Sequence, residues 1–380
     1  MLLHNSQPPT PMKRLQNLFI AFLLLLVALV SCKHDNSITI RGDIKGLNAK
    51  WIYLHPNYPI GSPAIDSAKV IDGKFEFSRH PDTAFIADLI LLKYHDEKGK
   101  SGFLSINDPY TVDKSKPSVY AAFIMEPGLT TLTGDLANNK GISIISGHQN
   151  EFYFKNFDLP FIRISKDSVK RSAQAAHIKK LVEDTPDAYW ALFAFNNFKY
   201  DLSHQQNKSI FDEFNNEIKT SYQGKNIKQF LDDQPQNKNE FPNTTFVDRD
   251  AKQVTLIDTT RKLNMVVFWA SWCGPCRREI PSLKRIASAC KNDSLRFVSV
   301  SVDNQKTEWI KAVNEENMPW QQLIIPAKQV NRANAQYNLG WVPQIYLVNS
   351  KRQIVKKIDG FDAGNEGVVK TFIINYLAKN

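Results

Sequence analysis

Hydrophobic and polar residues change their period several times along this chain. Residues 18–30 read LFIAFLLLLVALV, an unbroken apolar run behind Lys13 and Arg14. It falls short of the ~20 apolar residues that a spanning helix needs. A basic flank, a short apolar core and small residues after it fit a secretory signal. From Ser37 to about Gly147 the apolar runs are short and β-rich: SITIRG, WIYL, AFIADLILL, VYAAFIM, TTLTG and ISIIS. Asp72-Gly73 stands between two β-rich arms and supplies the positive φ angles of a type I′ turn, so a hairpin is predicted there. The whole stretch reads as a small sandwich or open barrel.

From about residue 149 to 233 the period lengthens. Residues 173–182 (AQAAHIKKLV) fit a helix, as do 189–195 (YWALFAF), opened by Thr185-Pro186-Asp187. Phe211, Phe214 and Ile218 fall at i, i+3 and i+7, one helical stripe. Three or four packed helices are expected, the aromatic residues serving as core rather than as a ligand groove. Residues 232–239 form a polar linker. Beyond it strand and helix alternate. MVVFW, RFVSVSV, QIYLV and IVKKI predict strands; residues 279–289, 307–314 and 368–377 predict helices. That order argues for an α/β sandwich. The expected division is a signal over 1–32, a β domain over 33–147, a helical segment over 148–233 and the α/β module over 234–380.

Composition narrows the function classes. At 380 residues the chain exceeds one ordinary domain. With 42% hydrophobic and 23% charged residues, it is neither a disordered nor a fibrous chain. The net charge is +10, and about 21 basic against 13 acidic residues lie in 234–380. Such a surface favours an anionic membrane or acidic partners. Nucleic acid is not expected as a partner of an exported chain. Four cysteines are too few for a disulfide scaffold.

Two of those cysteines carry the chemistry. The stretch 266–281 reads VVFWASWCGPCRREIP, a buried strand running into Cys273-Gly274-Pro275-Cys276 at the start of a helix. Two intervening residues bring both sulfurs within one turn. Cys273 meets free backbone N–H groups and the positive end of the dipole, which favour a thiolate. Thiolate is the attacking species. Arg277 and Arg278 add positive charge nearby, and Cys276, one turn deeper, is the resolving nucleophile. All eight histidines lie at or before His204, so a Cys–His hydrolase or a Cys₂His₂ metal site cannot form inside the module. Cys290 stands roughly 20 Å further along the same helix and is read as a buried structural thiol. Trp269 and Trp272 shape the surroundings of the dithiol. Trp341 is either groove or core.

Several resemblances follow from these residues. Leu29-Val30-Ser31-Cys32 resembles the lipobox of bacterial lipoproteins, which implies lipidation at Cys32 and a periplasm-facing chain anchored in a Gram-negative cell envelope. An ordinary signal, or an uncleaved single span, is the alternative. The pattern GDIKGL, IYL, IDSAKVIDGKFEF resembles an uncharacterised β domain that precedes thioredoxin-like modules in envelope proteins. The stretch FWASWCGPCRREIPSL resembles the TlpA/ResA branch of the thioredoxin superfamily, membrane-tethered thiol–disulfide oxidoreductases. The similarity runs from Phe241 onward and includes Gly340-Trp341-Val342-Pro343. It implies a multidomain chain with a C-terminal thioredoxin-like fold and a redox-active Cys273–Cys276 disulfide in place of any cofactor or metal. It implies a cis Pro343, a substrate groove formed by Trp272, Gly274, Pro275, Val342 and Pro343, and a kink at Pro281. Where cytosolic thioredoxins carry a buried Asp, this chain has Val267. Glu279 matches the acid of the ResA-like branch and is expected to exchange a proton with Cys276; the alternative is a first-turn acid on the helix dipole. The expected activity is reduction of disulfides in exported proteins, with a membrane electron donor and a lipid bilayer as further partners. An envelope binding or assembly protein, or an oxidase or isomerase of the same fold, is the alternative.

Overall fold

In this computed structural model the described residues are 36–57, 62–80, 88–111, 118–136, 141–235, 239–360 and 362–379. The predicted signal, its lipobox and Cys32 lie outside them, as do residues 236–238 of the linker. The chain divides into two compact units, residues 1–155 and 156–380.

Period-two burial builds the first unit. Its strands are β1 (Ile38–Lys45), β2 (Ala49–Pro56), β3 (Asp66–Lys69), β4 (Lys74–Arg79), β5 (Asp88–Asp96), β6 (Ser101–Phe103), β7 (Ile106–Asn107), β8 (Val119–Tyr120), β9 (Ala122–Met125), β10 (Gly128–Asp135) and β11 (Ile142–Ile145). They form two sheets, ordered β4-β1-β10-β11-β7-β8 and β3-β2-β5-β6, with β9 added on β5. Ile38, Ile40 and Ile44 of β1 are buried while Arg41 and Asp43 face solvent, as the alternation demands. Asp72 (φ 51°) and Gly73 (φ 77°) make the predicted primed turn. The hairpin is limited to one closing pair, Ile71 and Lys74, which exchange two backbone hydrogen bonds of 2.9 Å; beyond it β3 pairs with β2 and β4 with β1. Ile44 N–H donates to Gly73 O at 2.9 Å, so the turn docks on the end of β1 as the chain passes between sheets. VYAAFIM likewise splits at Ala121 into β8 and β9, one in each sheet. Helix α1 (His148–Lys155) closes the unit. Buried Glu126 accepts from Gln149 N–H (3.0 Å), Asn150 N–H (3.2 Å) and Asn150 Nδ2 (2.7 Å), serving the helix's free donors.

The second unit opens with helices that owe their limits to caps. Asp167 caps α2 (Ser168–Asp184), and a Ser203/Gln206 capping box starts α4 (His204–Phe211). Between them α3 (Tyr189–Phe198) is buried on most faces. The stripe of Phe211, Phe214 and Ile218 is buried but does not lie on one helix. Asn215 accepts from Ile218 N–H and starts a new helix, α5 (Asn216–Thr220), followed by α6 (Tyr222–Asp233).

The sheet of this unit runs β13-β12-β16-β15-β14-β17-β18. Its strands are β12 (Thr245–Asp248), β13 (Gln253–Thr255), β14 (Leu263–Trp269), β15 (Leu295–Ser301), β16 (Gln321–Ile324), β17 (Gln344–Asn349) and β18 (Ile354–Asp359). β14, β15 and β16 are parallel, joined through α7 (Gly274–Ala289) and α8 (Lys306–Glu316). β17 runs antiparallel to β14 and forms a hairpin with β18. Helix α9 (Val330–Tyr337) precedes β17, and α10 (Asn365–Lys379) ends the fold. Apolar side chains fill both faces of the sheet. Phe246, Val266, Phe268, Tyr337 and Tyr346 pack on one side, and Met265, Val267, Leu283, Ile345 and Ile373 on the other. Among the described residues no helix is long and apolar enough to cross a membrane.

Candidate active site

Every residue of β14 is buried, which fixes the central strand and delivers its end to the surface at one point. Val302 N–H donates to Trp269 O at 2.9 Å and ties that end to β15. Cys273 is the N-cap of α7, in extended conformation, and its sulfur accepts from Cys276 N–H at 3.1 Å. Cys273 and Cys276 are joined as a disulfide, and Pro275 sits in the first turn, where a missing N–H costs nothing. The sulfurs are 5% and 2% exposed by residue, while Trp272 beside them is 70% exposed. Gly274 and Pro275 are exposed too. The Val342–Pro343 peptide bond is cis. Val342 O lies 3.6 Å from Cys273 Sγ, and the Val342 side chain packs against the cluster of Trp269, Cys273 and Cys276. Of the groove residues expected from the sequence, Val342 is thus the one brought to the Cys273 sulfur from a distant part of the chain. Pro281 lies inside α7.

Glu279 is 2% exposed and sits six residues into the helix, one turn beyond Cys276 on its buried side. It is not in the first turn, which removes the alternative of a dipole-stabilising acid. Asn365 Nδ2 donates weakly to Glu279 Oε1 at 3.5 Å, and Oε2 has no partner among the described residues. Burial raises its pKa to about 7, so near neutrality this carboxyl can hold or release a proton.

Asp303, just past β15, was not anticipated. It is 3% exposed and accepts from Ser271 N–H (3.0 Å), Ser271 Oγ (2.6 Å) and Ser301 Oγ (2.5 Å). It clamps the turn two residues before Cys273. The only sequence sign was an acid ending a buried alternating run, VSVSVD. The charge expected from Arg277 needs correction, because its guanidinium pairs with Glu316 and Glu315, each at 2.8 Å. Trp269 belongs to the core, and Trp341, 38% exposed with Lys357 Nζ 5.9 Å from its ring, belongs to the surface. Cys290 is buried and free. Among the described residues no group of three or more His, Cys, Asp or Glu is placed to hold a metal.

Comparison with known families settles the fold at this site. Residues 236–371 match the Redoxin family. This segment is a Redoxin domain of the thioredoxin superfamily. Residues 38–154 match a domain of unknown function, DUF4369. The chain is 25% identical to thiol-disulfide oxidoreductase ResA of Bacillus subtilis over 119 residues, 31% of this chain and 65% of the relative. It is 30% identical to sporulation thiol-disulfide oxidoreductase A of the same organism over 91 residues, 23% of this chain and 54% of the relative. It therefore spans two thirds or less of the length of these two relatives. The solved thioredoxin domain of a thiol-disulfide oxidoreductase from Bacteroides vulgatus covers 35% of this chain and 95% of its own, at 28% identity and a TM-score of 0.33.

Proposed function

We propose that the protein is a thiol–disulfide oxidoreductase that reduces disulfides of exported proteins. The observation that carries this reading is the Cys273–Cys276 bond capping a helix at the exposed end of a buried central strand, with Val342 O beside the outer sulfur. The names of the Redoxin domain's relatives support the same chemistry.

In the reduced protein Cys273 is the nucleophile. The N–H of Cys276 and the helix dipole stabilise its thiolate. The thiolate attacks one sulfur of a substrate disulfide. The substrate S–S bond breaks, one substrate thiolate leaves and takes a proton, and a mixed disulfide forms. Cys276 then gives its proton to the Glu279 carboxylate and attacks Cys273 Sγ. The second substrate thiol departs, and the Cys273–Cys276 bond is restored. Two electrons have passed from protein to substrate, so an external dithiol must return them. A membrane electron donor is the proposed source, and lipidation at Cys32 would keep the module near it in the envelope, on its periplasmic side. Neither metal nor organic cofactor enters these steps.

Cys276→Ala tests the reading. The variant stalls after the first attack and is expected to accumulate a dithiothreitol-sensitive mixed disulfide with exported proteins through Cys273. Absence of any such adduct, while wild type retains a reducible Cys273–Cys276 bond, contradicts it. Titration of the dithiol against glutathione fixes the direction; a potential near that of the strong oxidants, ~−120 mV, would make the protein an oxidase.

A further inference from the structure

Residues 156–235 lie between the two family-matched segments, and the chemistry above does not use them. They contain α2 to α6. One residue of this stretch reaches the loop that faces the dithiol. Tyr200 follows α3 and packs edge-on against Phe230 of α6, ring centroids 5.0 Å apart. The other side of Tyr200 meets the backbone of Gly340 so closely that a Cβ there would stand 2.6 Å from Tyr200 Cγ and 2.8 Å from Cδ2. The carbonyl of Tyr200 accepts from Asn338 Nδ2 at 2.7 Å.

Asn338 ends α9 with φ 54°, and its own carbonyl accepts from Gln344 Nε2 at 3.1 Å. Gln344, fully buried, is the first residue of β17. Residues 338–344 are thus a short arch, held on one side by Tyr200 and on the other by Gln344. Arg332 of α9 and Asp233 of α6 approach to 3.7 Å and join the same two layers. At the middle of the arch stand Trp341, Val342 and Pro343, with Val342 O 3.6 Å from Cys273 Sγ.

We propose that α3 to α6 brace this arch, and that Tyr200 and Asn338 are positioning residues that set Val342 and Pro343 against the outer sulfur. The functional half of this proposal rests on the thiol–disulfide reading above. A protein substrate must lie against the arch to bring its disulfide to Cys273, whereas a small alkylating reagent needs only the sulfur. The brace therefore acts on protein disulfides and leaves the intrinsic reactivity of Cys273 alone.

The test uses the full chain carrying Tyr200→Ala, Gly340→Ala, both together, or Tyr200→Phe. Hydrogen exchange is followed over residues 338–344 and over β14, with insulin reduction kinetics and the iodoacetamide rate of Cys273 beside it. Each single alanine variant is expected to speed exchange of the arch about tenfold and to lower kcat/KM for insulin by on the order of tenfold to a hundredfold, while Cys273 alkylation stays within about twofold. Tyr200→Phe keeps ring and carbonyl and should match wild type. In the double variant the added methyl enters the space the ring vacated, so the losses should be less than multiplicative. Unchanged arch exchange in both single variants would overturn the brace. So would a loss of arch protection matched by equal loss in β14, since that is general destabilisation. If wild type itself fails to reduce insulin while the variants still loosen the arch, the brace stands and the enzymatic reading falls.

Discussion

Glu279 is the residue whose environment says most. Its carboxyl is buried with one oxygen unpartnered among the described residues, and desolvation raises its pKa to about 7. The folded protein therefore holds this proton to higher pH than the unfolded chain does. The contribution of Glu279 to stability therefore falls as pH rises from about 4.5 to about 7 and stays low above that. Glu279→Gln cannot ionise. Its stability relative to wild type should rise across that window by up to about 3 kcal/mol, read from urea unfolding of the oxidised proteins at pH 4 and pH 8. A pH-independent difference would contradict the buried acid. The cysteines differ in the same physical terms. Burial raises the pKa of Cys290, and its thiol faces the core. In the reduced protein iodoacetamide should modify Cys273 first and leave Cys290 untouched until unfolding, as peptide mass mapping would record. The sequence made Cys273, Cys276 and Glu279 legible because they sit in one short run. Asp303, Asn365 and the partners of Arg277 were not legible, since each reaches the site from a distant part of the chain.

Among the elements, the join between β14 and α7 matters most, and Asp303 holds it. Removing that carboxylate leaves the Ser271 N–H and two serine hydroxyls short of a partner. Asp303→Ala should cost about 1–3 kcal/mol by chemical denaturation and lower insulin turnover, while Asp303→Asn keeps part of the network and loses less. In the first unit the Asp72-Gly73 turn tolerates no side chain at its second position. A Cβ on Gly73 would lie 2.3 Å from Ile44 O, and φ is 77°. Gly73→Ala should lower the melting temperature of this unit, with the second unit unaffected; an unchanged melt would contradict the docked turn. The turn was readable because Asp-Gly carries its own backbone preference. The sheet exchange after it was not, since pairing partners are set by tertiary packing rather than by the local run. The strands β12, β13 and β16 escaped notice for a related reason. Each is three or four residues long, too short for a period to emerge.

At the scale of the whole molecule, the α/β order of the last third was legible because β14, β15 and β17 are apolar and their helices amphipathic. The two-unit division was less so: α1 belongs with the β strands and the later helices with the Redoxin sheet. No local pattern reveals that Tyr200 meets Gly340 across 140 residues of chain. The proposed function requires electrons to leave Cys273 and Cys276 for another protein's disulfide. Insulin reduction by the full chain, driven by dithiothreitol and followed by turbidity, measures this most directly. Wild type is expected to shorten the lag well below that of dithiothreitol alone, and Cys273→Ser to restore it. Equal lags for wild type, Cys273→Ser and the uncatalysed reaction would contradict the account.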